Sequence, residues 1–356
     1  MGRVKDYMLA CPSDRHCRYK LVPLVTRDGR GVGFSILLLL SAMWRIAAGI
    51  IRGRAAMLHV HMGDRGSIAR KGLLLCFARL CGIPALLHLH AVELEGLYAE
   101  GSRTRRRFIR LPFQAATAII ALGTRPKAFL VETMGIDPDK IDVLINGVPS
   151  VAIPPDRSAR GGKPCRILFL GNLIERKGVA DLLRALAQLG LAAGTWEATL
   201  AGGGNEDFYR SLATKLGIAP QIRFAGWIGS AEVHEQLVWA DILVLPSYDE
   251  GLPLVILEAL GFALPVICTP VGAIPEVLLD EKTALMIAPG DVSGLARAIG
   301  RLVTQPALRS RLGDEGRRLY EERLSLRAFQ DGFLSIYRAR CGIDYAPDRS
   351  GEPPCD

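Results

Sequence analysis

The chain has 356 residues, more than one hydrophobic core usually organises, so two domains are predicted. Hydrophobic residues make up 49% and charged residues 22%, a balance that excludes a mainly disordered or fibrous chain. A formal charge of +8 favours anionic partners without choosing among phosphates, nucleic acid and an acidic membrane surface.

The first twenty residues carry Arg3, Lys5, Asp6, Asp14, Arg15 and Arg18 and no apolar core, so they do not read as a secretory signal. Eight cysteines, with no C-x-x-C pair and no zinc-like spacing, read as reduced and mostly buried thiols. A cytosolic location is expected. Residues 31–51, GVGFSILLLLSAMWRIAAGII, approach the about 20 residues that span a bilayer. Arg45 interrupts them at a cost of about 2.5–3.5 kcal/mol on insertion, so a buried or interfacial helix is expected instead.

From Leu58 onward short apolar runs alternate with amphipathic stretches, the pattern of a parallel sheet covered on both faces. Strands are predicted at 57–61, 85–90, 118–122 and 140–145, with helices at 67–82 and 124–135, the latter ending at a glycine suited to a C-cap. Arg103, Arg105, Arg106, Arg107 and Arg110, interleaved with Phe108, Ile109, Leu111 and Phe113, form a basic amphipathic segment. A solvated helix face and adhesion to anionic lipid both fit it. No nucleic-acid motif supports a third reading.

This organisation gives a Rossmann-like domain over 1–150 and a Pro-, Gly- and Ser-rich linker over 151–164. A second Rossmann-like domain follows over 165–324, with strands predicted at 165–171, 196–202, 222–226, 241–247 and 264–269. The segment 325–340 is expected to return to the first domain, and 341–356 to fray. Ligands in such sheets bind past the carboxyl ends of the strands, where the strand order reverses.

The loop FLGNLIERKG turns at Gly171 and sets Arg176 and Lys177 beside a helix start, a place suited to a diphosphate. In AGGGNEDF, Gly202 and Gly203 permit close backbone approach to a ligand, or simply a tight turn. In PSYDEGLPLVILEAL, Pro253 fits a first helical turn and Gly251 and Leu252 stand at its positive start. Glu250 lies just outside that helix and Glu258 inside it. A carboxylate within an apolar helix needs a partner, and either vicinal ribose hydroxyls or an arginine would serve.

The pair Glu250 and Glu258, with GNLIERKG and LAGGGNEDF in the same order and spacing, resembles glycosyltransferase family 4 of the GT-B fold, over almost all of 57–340. The resemblance implies two facing Rossmann-like domains and metal-independent transfer of a sugar from a nucleotide-sugar donor with retention at the anomeric carbon. It implies no other cofactor. By the same resemblance, Arg176 and Lys177 stabilise the departing diphosphate, Glu258 holds the ribose, and Glu250 with the following backbone holds the donor sugar. LLHLHAVELEGLY places His90 where it meets the transferring sugar, with His88 packed inside and Ala91 in place of the usual glycine.

HMGDRGSIARKG is similar to a stretch in polysaccharide-assembling members. Ser67, Arg70 and Lys71 there would meet an acceptor phosphate, although an exposed helix face explains them as well. Expected partners are therefore a saccharide acceptor linked to a polyprenyl diphosphate and an anionic membrane surface at the inner face of the membrane. The alternation His59/His61 and His88/His90 suggests a metal, but no carboxylate or cysteine completes the set and none is expected. The family's opening strand and glycine loop are not found before 31–51. An N-terminal domain without its first βα unit is thus expected, and a nucleotide-sugar-binding protein impaired in turnover is the alternative function.

Overall fold

The computed structural model describes residues 22–27, 31–63, 66–91, 93–149, 151, 153–157, 163–192 and 194–343. Their contacts form two units, one from the described residues of Met1–Asn146 and Phe329–Glu352, the other from those of Gly147–Ala328. The linker and the tail expected from sequence lie partly outside the described residues.

The first unit runs α1 (Val32–Ile51), β1 (Leu58–Met62), α2 (Gly66–Leu80), β2 (Ala85–Leu89), α3 (Leu94–Ala99), α4 (Arg103–Ala115), β3 (Ala118–Ala121), α5 (Thr124–Ala128) and β4 (Ile141–Val143). The strands are parallel in the order β1-β2-β3-β4. Strands covered on both faces read as unbroken apolar runs, as AIIA in β3 does, with every residue buried. Val60, Met62, Leu87 and Ile119 meet Leu75 of α2 and Phe113 of α4 in one core. The helix anticipated over 124–135 is α5 followed by a wider turn, Phe129–Thr133, closing at Gly135 with φ +62°.

On α1 only a stripe through Ser35, Ala42 and Ile46 is buried, where the helix packs on α2. Leu37 (62%), Trp44 (67%) and Ile51 (85%) are exposed, so the burial weighed from sequence does not occur on that side. Among the described residues it is the one helix long and apolar enough to cross a membrane, by length and composition.

The second unit runs β5 (Cys165–Leu170), α6 (Val179–Ala187), β6 (Trp196–Ala201), α7 (Glu206–Lys215), β7 (Ile222–Gly226), α8 (Ser230–Trp239), β8 (Ile242–Leu245), α9 (Leu254–Gly261), β9 (Val266–Cys268), α10 (Ile274–Val277), β10 (Leu285–Met286), α11 (Val292–Thr304) and α12 (Pro306–Leu319). Its parallel order is β10-β9-β8-β5-β6-β7. The chain moves outward from β5 through β6 and β7, then returns to add β8 on the other side, so the order reverses between β5 and β8. Part of the segment expected to be a linker is tied down here: the Arg157 guanidinium donates to the carbonyls of Ala240 (2.7 Å), Phe262 (2.9 Å) and Leu237 (3.0 Å).

The last helix, α13 (Leu326–Cys341), enters the first unit from Phe329 onward. Arg340 binds both carboxylate oxygens of Asp142 on β4, at 2.9 and 2.8 Å, a fork-on-fork pair that fixes its register.

Candidate active site

In the second unit, three strand-to-helix loops leave neighbouring strands at the reversal point: 171–178 after β5, 202–205 after β6 and 246–253 after β8. α6, α7 and α9 open directly beyond them. Each helix start carries unpaired N–H groups and partial positive charge, a combination that favours phosphate.

The loops are joined by side chains. Lys177 Nζ contacts Glu250 Oε1, and Ser247 Oγ donates to the same oxygen at 2.7 Å. Lys177 and Glu250 are 15% and 8% exposed, so the pair is largely desolvated and each charge depends on the other. Arg176, more exposed, donates to the Asp249 carbonyl at 2.7 Å, while its own carbonyl accepts from Tyr248 N at 2.8 Å. The structure thus brings Arg176, Lys177 and Glu250 into one cluster. Glu258 is buried on α9, the helix that the Glu250 loop opens. Pro253 stands one residue before α9 with φ −67° and ψ 124°, not in its first turn. Its carbonyl receives Ile256 N at 3.1 Å, so it starts the helix from outside without needing an N–H.

The glycines have different tasks. A Cβ at Gly171 would make ordinary contact with Phe169 at 3.5 Å. Gly202 has φ +151°, and a Cβ there would overlap the Gly171 carbonyl, so loop packing alone requires it. Gly203 has nothing within 4 Å of a built Cβ. Gly251 is pinned by its carbonyl, which accepts from Ala273 N at 2.9 Å, and Leu252 is buried.

Sequence reasoning missed several members of this cluster. Gly178 (φ +67°) lets the chain pass the Pro246 carbonyl, and Gly272 (φ +59°) does the same at the carbonyls of Glu250 and Gly251. Gly178 stood within a quoted motif; Gly272 has no local signal, because its neighbour is distant in the chain. Tyr248 donates to Asp181 at 2.6 Å, linking the β8 loop to α6.

In the first unit the carboxyl ends of β1 and β2 gather the other anticipated residues. Ser67 Oγ accepts from Gly63 N at 3.1 Å, and Lys71 Nζ donates to the His61 carbonyl. Burial, with the neighbouring Arg70 charge, pulls the Lys71 ammonium down to about 8. Burial first, then Arg27, lowers Arg70 as well. At that value the Lys71 ammonium is still mostly charged at pH 7 and can meet an anion. His90 N donates to the Met62 carbonyl at 2.7 Å, and its Nε2 lies 3.0 Å from His61 Nδ1. Burial, then the His88 and His61 rings, hold His90 well below the ordinary histidine value of 6.5. It is therefore neutral at pH 7, able to make a hydrogen bond to a sugar hydroxyl but not an ion pair.

His59 and His88 are depressed too, chiefly by burial. In the unfolded chain these rings take up protons as pH falls below 6.5, while the folded chain resists. The stability they confer is complete above that pH and is lost as pH falls from it toward the folded values. Fluorescence-monitored urea titrations from pH 7.5 to 5 should show the midpoint falling on acidification; a flat profile would show that the rings protonate in place.

Residues 155–319 match the glycosyl transferases group 1 family, and residues 9–147 match the glycosyl transferase 4-like domain, between them most of the chain. The chain is similar to group 1 glycosyltransferases over the first stretch and to the glycosyl transferase 4-like domain over the second. Among relatives of this chain, the lipopolysaccharide core biosynthesis glycosyltransferase LpsE of Rhizobium meliloti is 32% identical over 174 residues, 49% of this chain. The chain spans about half the length of the curated relatives it matches, 50% of LpsE. Two solved structures share the fold. Sucrose-phosphate synthase from Thermosynechococcus elongatus has a TM-score of 0.69 at 21% identity, over 90% of this chain and 82% of its own. Anabaena HepE in complex with UDP has a TM-score of 0.71 at 16% identity, over 87% and 84%. The two parallel-sheet α/β units therefore have the GT-B fold.

Proposed function

We propose that the chain transfers a hexosyl group from a nucleotide-sugar donor to a saccharide acceptor, with retention at the anomeric carbon. The observation that carries this reading is the Lys177–Glu250 contact across the reversal point, flanked by Arg176 and by the starts of α6 and α9. Such a place offers cations and oriented N–H groups to a diphosphate as it departs, normally a large catalytic term. Arg176 and Lys177 answer that charge, Glu250 with Gly251, Leu252 and Pro253 holds the donor sugar, and Glu258 holds the ribose. The solved neighbour with UDP supports a nucleotide of this kind as donor.

The test is transfer from labelled UDP-, GDP- and ADP-sugars to membrane lipid extract, comparing wild type with Glu250→Ala and Arg176→Ala. One donor should be turned over by the wild type and lost by both variants. Tight nucleotide binding without turnover in the wild type would favour the impaired binding protein instead.

The acceptor is a lipid-linked saccharide in exopolysaccharide, capsule or O-antigen assembly, reached from the cytoplasmic face of the membrane. Two features support it. α1 leaves Leu37, Leu40 and Trp44 uncovered, and α4 exposes Arg103, Arg105, Arg106 and Arg107 beside Phe108. α2 packs against both helices, so apolar and basic surfaces belong to one helical layer. The protein should float with anionic liposomes at low salt, less at high salt and not with neutral ones. Exchange of Arg103, Arg105 and Arg107 for Glu should abolish flotation; binding unchanged by that exchange would remove α4 from the proposal.

A further inference from the structure

The face of the first sheet opposite its aliphatic core carries histidines. The two-residue period of a strand puts His59 and His61 on one side of β1, and the parallel register sets His61 against His88 of β2. The rings of His59 and His61 stack at 4.7 Å, with His88 5.6 and 5.1 Å from them. Phe329, Phe333 and Tyr337 of α13 cover the group. One ring nitrogen from each of His59, His61 and His88 lies within 4.8 Å of the others.

A buried polar atom left without a partner costs about 1–3 kcal/mol, so folded chains seldom collect them. Here both ring nitrogens of His88 and Nε2 of His59 have no hydrogen-bond partner among the described residues, and His88 is fully buried. Two further nitrogens are oriented from outside the group: His59 Nδ1 is 2.7 Å from Tyr337 Oη, and His61 Nδ1 is 3.0 Å from His90 Nε2. With Nδ1–H of His59 donating to Tyr337, Nε2 of His59 is left as the lone-pair atom, the way an outer partner holds an imidazole ligand around a metal.

We propose that His59, His61 and His88 form a structural site for a zinc-class divalent cation that braces β1 against β2 and positions His90 through His61. Three imidazoles with water or hydroxide in the fourth place are an established zinc shell. A set of nitrogen ligands without carboxylates discriminates against magnesium and calcium, which require oxygen. Zinc–nitrogen bonds of about 2.1 Å put tetrahedral ligand atoms about 3.4 Å apart, so the imidazoles close by side-chain rotation. The site is separate from the diphosphate cluster of the second unit, and sugar transfer needs no metal in the reaction itself.

The experiment uses untagged, chelator-treated full-length protein, dialysed against Zn²⁺, with Co²⁺ as a spectroscopic probe and Mg²⁺ as control. One Zn²⁺ per chain, a raised Tm and a visible Co²⁺ ligand-field band are expected, with no response to Mg²⁺. His88→Leu, which fills the space with an apolar side chain, should weaken Zn²⁺ binding more than about tenfold. His59→Phe gives a second variant should the first fail to fold, with circular dichroism as the control. Wild-type protein that holds no stoichiometric Zn²⁺, or variants that bind it as well as wild type, overturns the proposal. UDP binding to the second unit should be the same with and without Zn²⁺, so loss of the metal site and loss of the transferase reading are distinguishable.

Discussion

In a Lys177→Met variant, kcat is expected to fall about 100- to 1,000-fold with much less change in donor KM. Methionine keeps the packing of the lysine stem and removes only the ammonium. That ammonium rests on Glu250 in a largely desolvated contact, where its field is little screened by water. Negative charge gathers on the departing diphosphate as the glycosidic bond lengthens, so a fixed cation stabilises the transition state more than the ground state. The variant also leaves the Glu250 carboxylate buried with only the Ser247 hydroxyl, at a stability cost of about 3 kcal/mol. Adding Glu250→Gln, with kcat read against the Glu250→Gln single variant, separates the two effects. The double variant should recover Tm yet turn over far more slowly than the Glu250→Gln single variant; equal kcat in those two would make Lys177 a structural residue.

The second large effect concerns a residue with no polar atom beyond its backbone. Gly272→Ala is expected to cost about 3 kcal/mol and to remove nucleotide binding together with stability. Gly272 has φ +59°, and a Cβ there would overlap the carbonyls of Glu250 and Gly251. Because those carbonyls are backbone, they cannot rotate aside as a flexible side chain would. Relief requires moving the loop that carries Glu250, Gly251 and Leu252 off the loop that carries Lys177. A thermal melt and a nucleotide titration together check this: Tm near wild type with full nucleotide binding would show that the two loops move independently.

Most of the second sheet was legible because parallel strands buried on both faces have continuous apolar runs, as in CRILFL of β5 and ILVL of β8. β10 was not, since two residues between turns have no periodicity to read. The loops after β5, β6 and β8 were legible for the same reason that phosphate sites are: cations and glycines stood directly after apolar runs. What distinguishes Gly202 from Gly203 was not, because it depends on where the Gly171 carbonyl lies in space. The histidines on β1 and β2 show their two-residue alternation in sequence, but the pairing of His61 with His88 is a register, fixed only when the strands associate. The exposed side of α1 was unreadable for a different reason: an apolar helix looks alike whether protein covers it or not.

The three consecutive glycines after β6 have one further consequence. Gly202 and Gly204 each pass another backbone too closely for any side chain, whereas Gly203 opens on empty space. Substitutions in a diverging lineage are thus filtered at the outer two positions and admitted at the middle one. New side chains can accumulate there, altering the shape and polarity offered to a bound molecule while the frame beneath stays intact. Ligand preference can drift in this loop without a folding penalty.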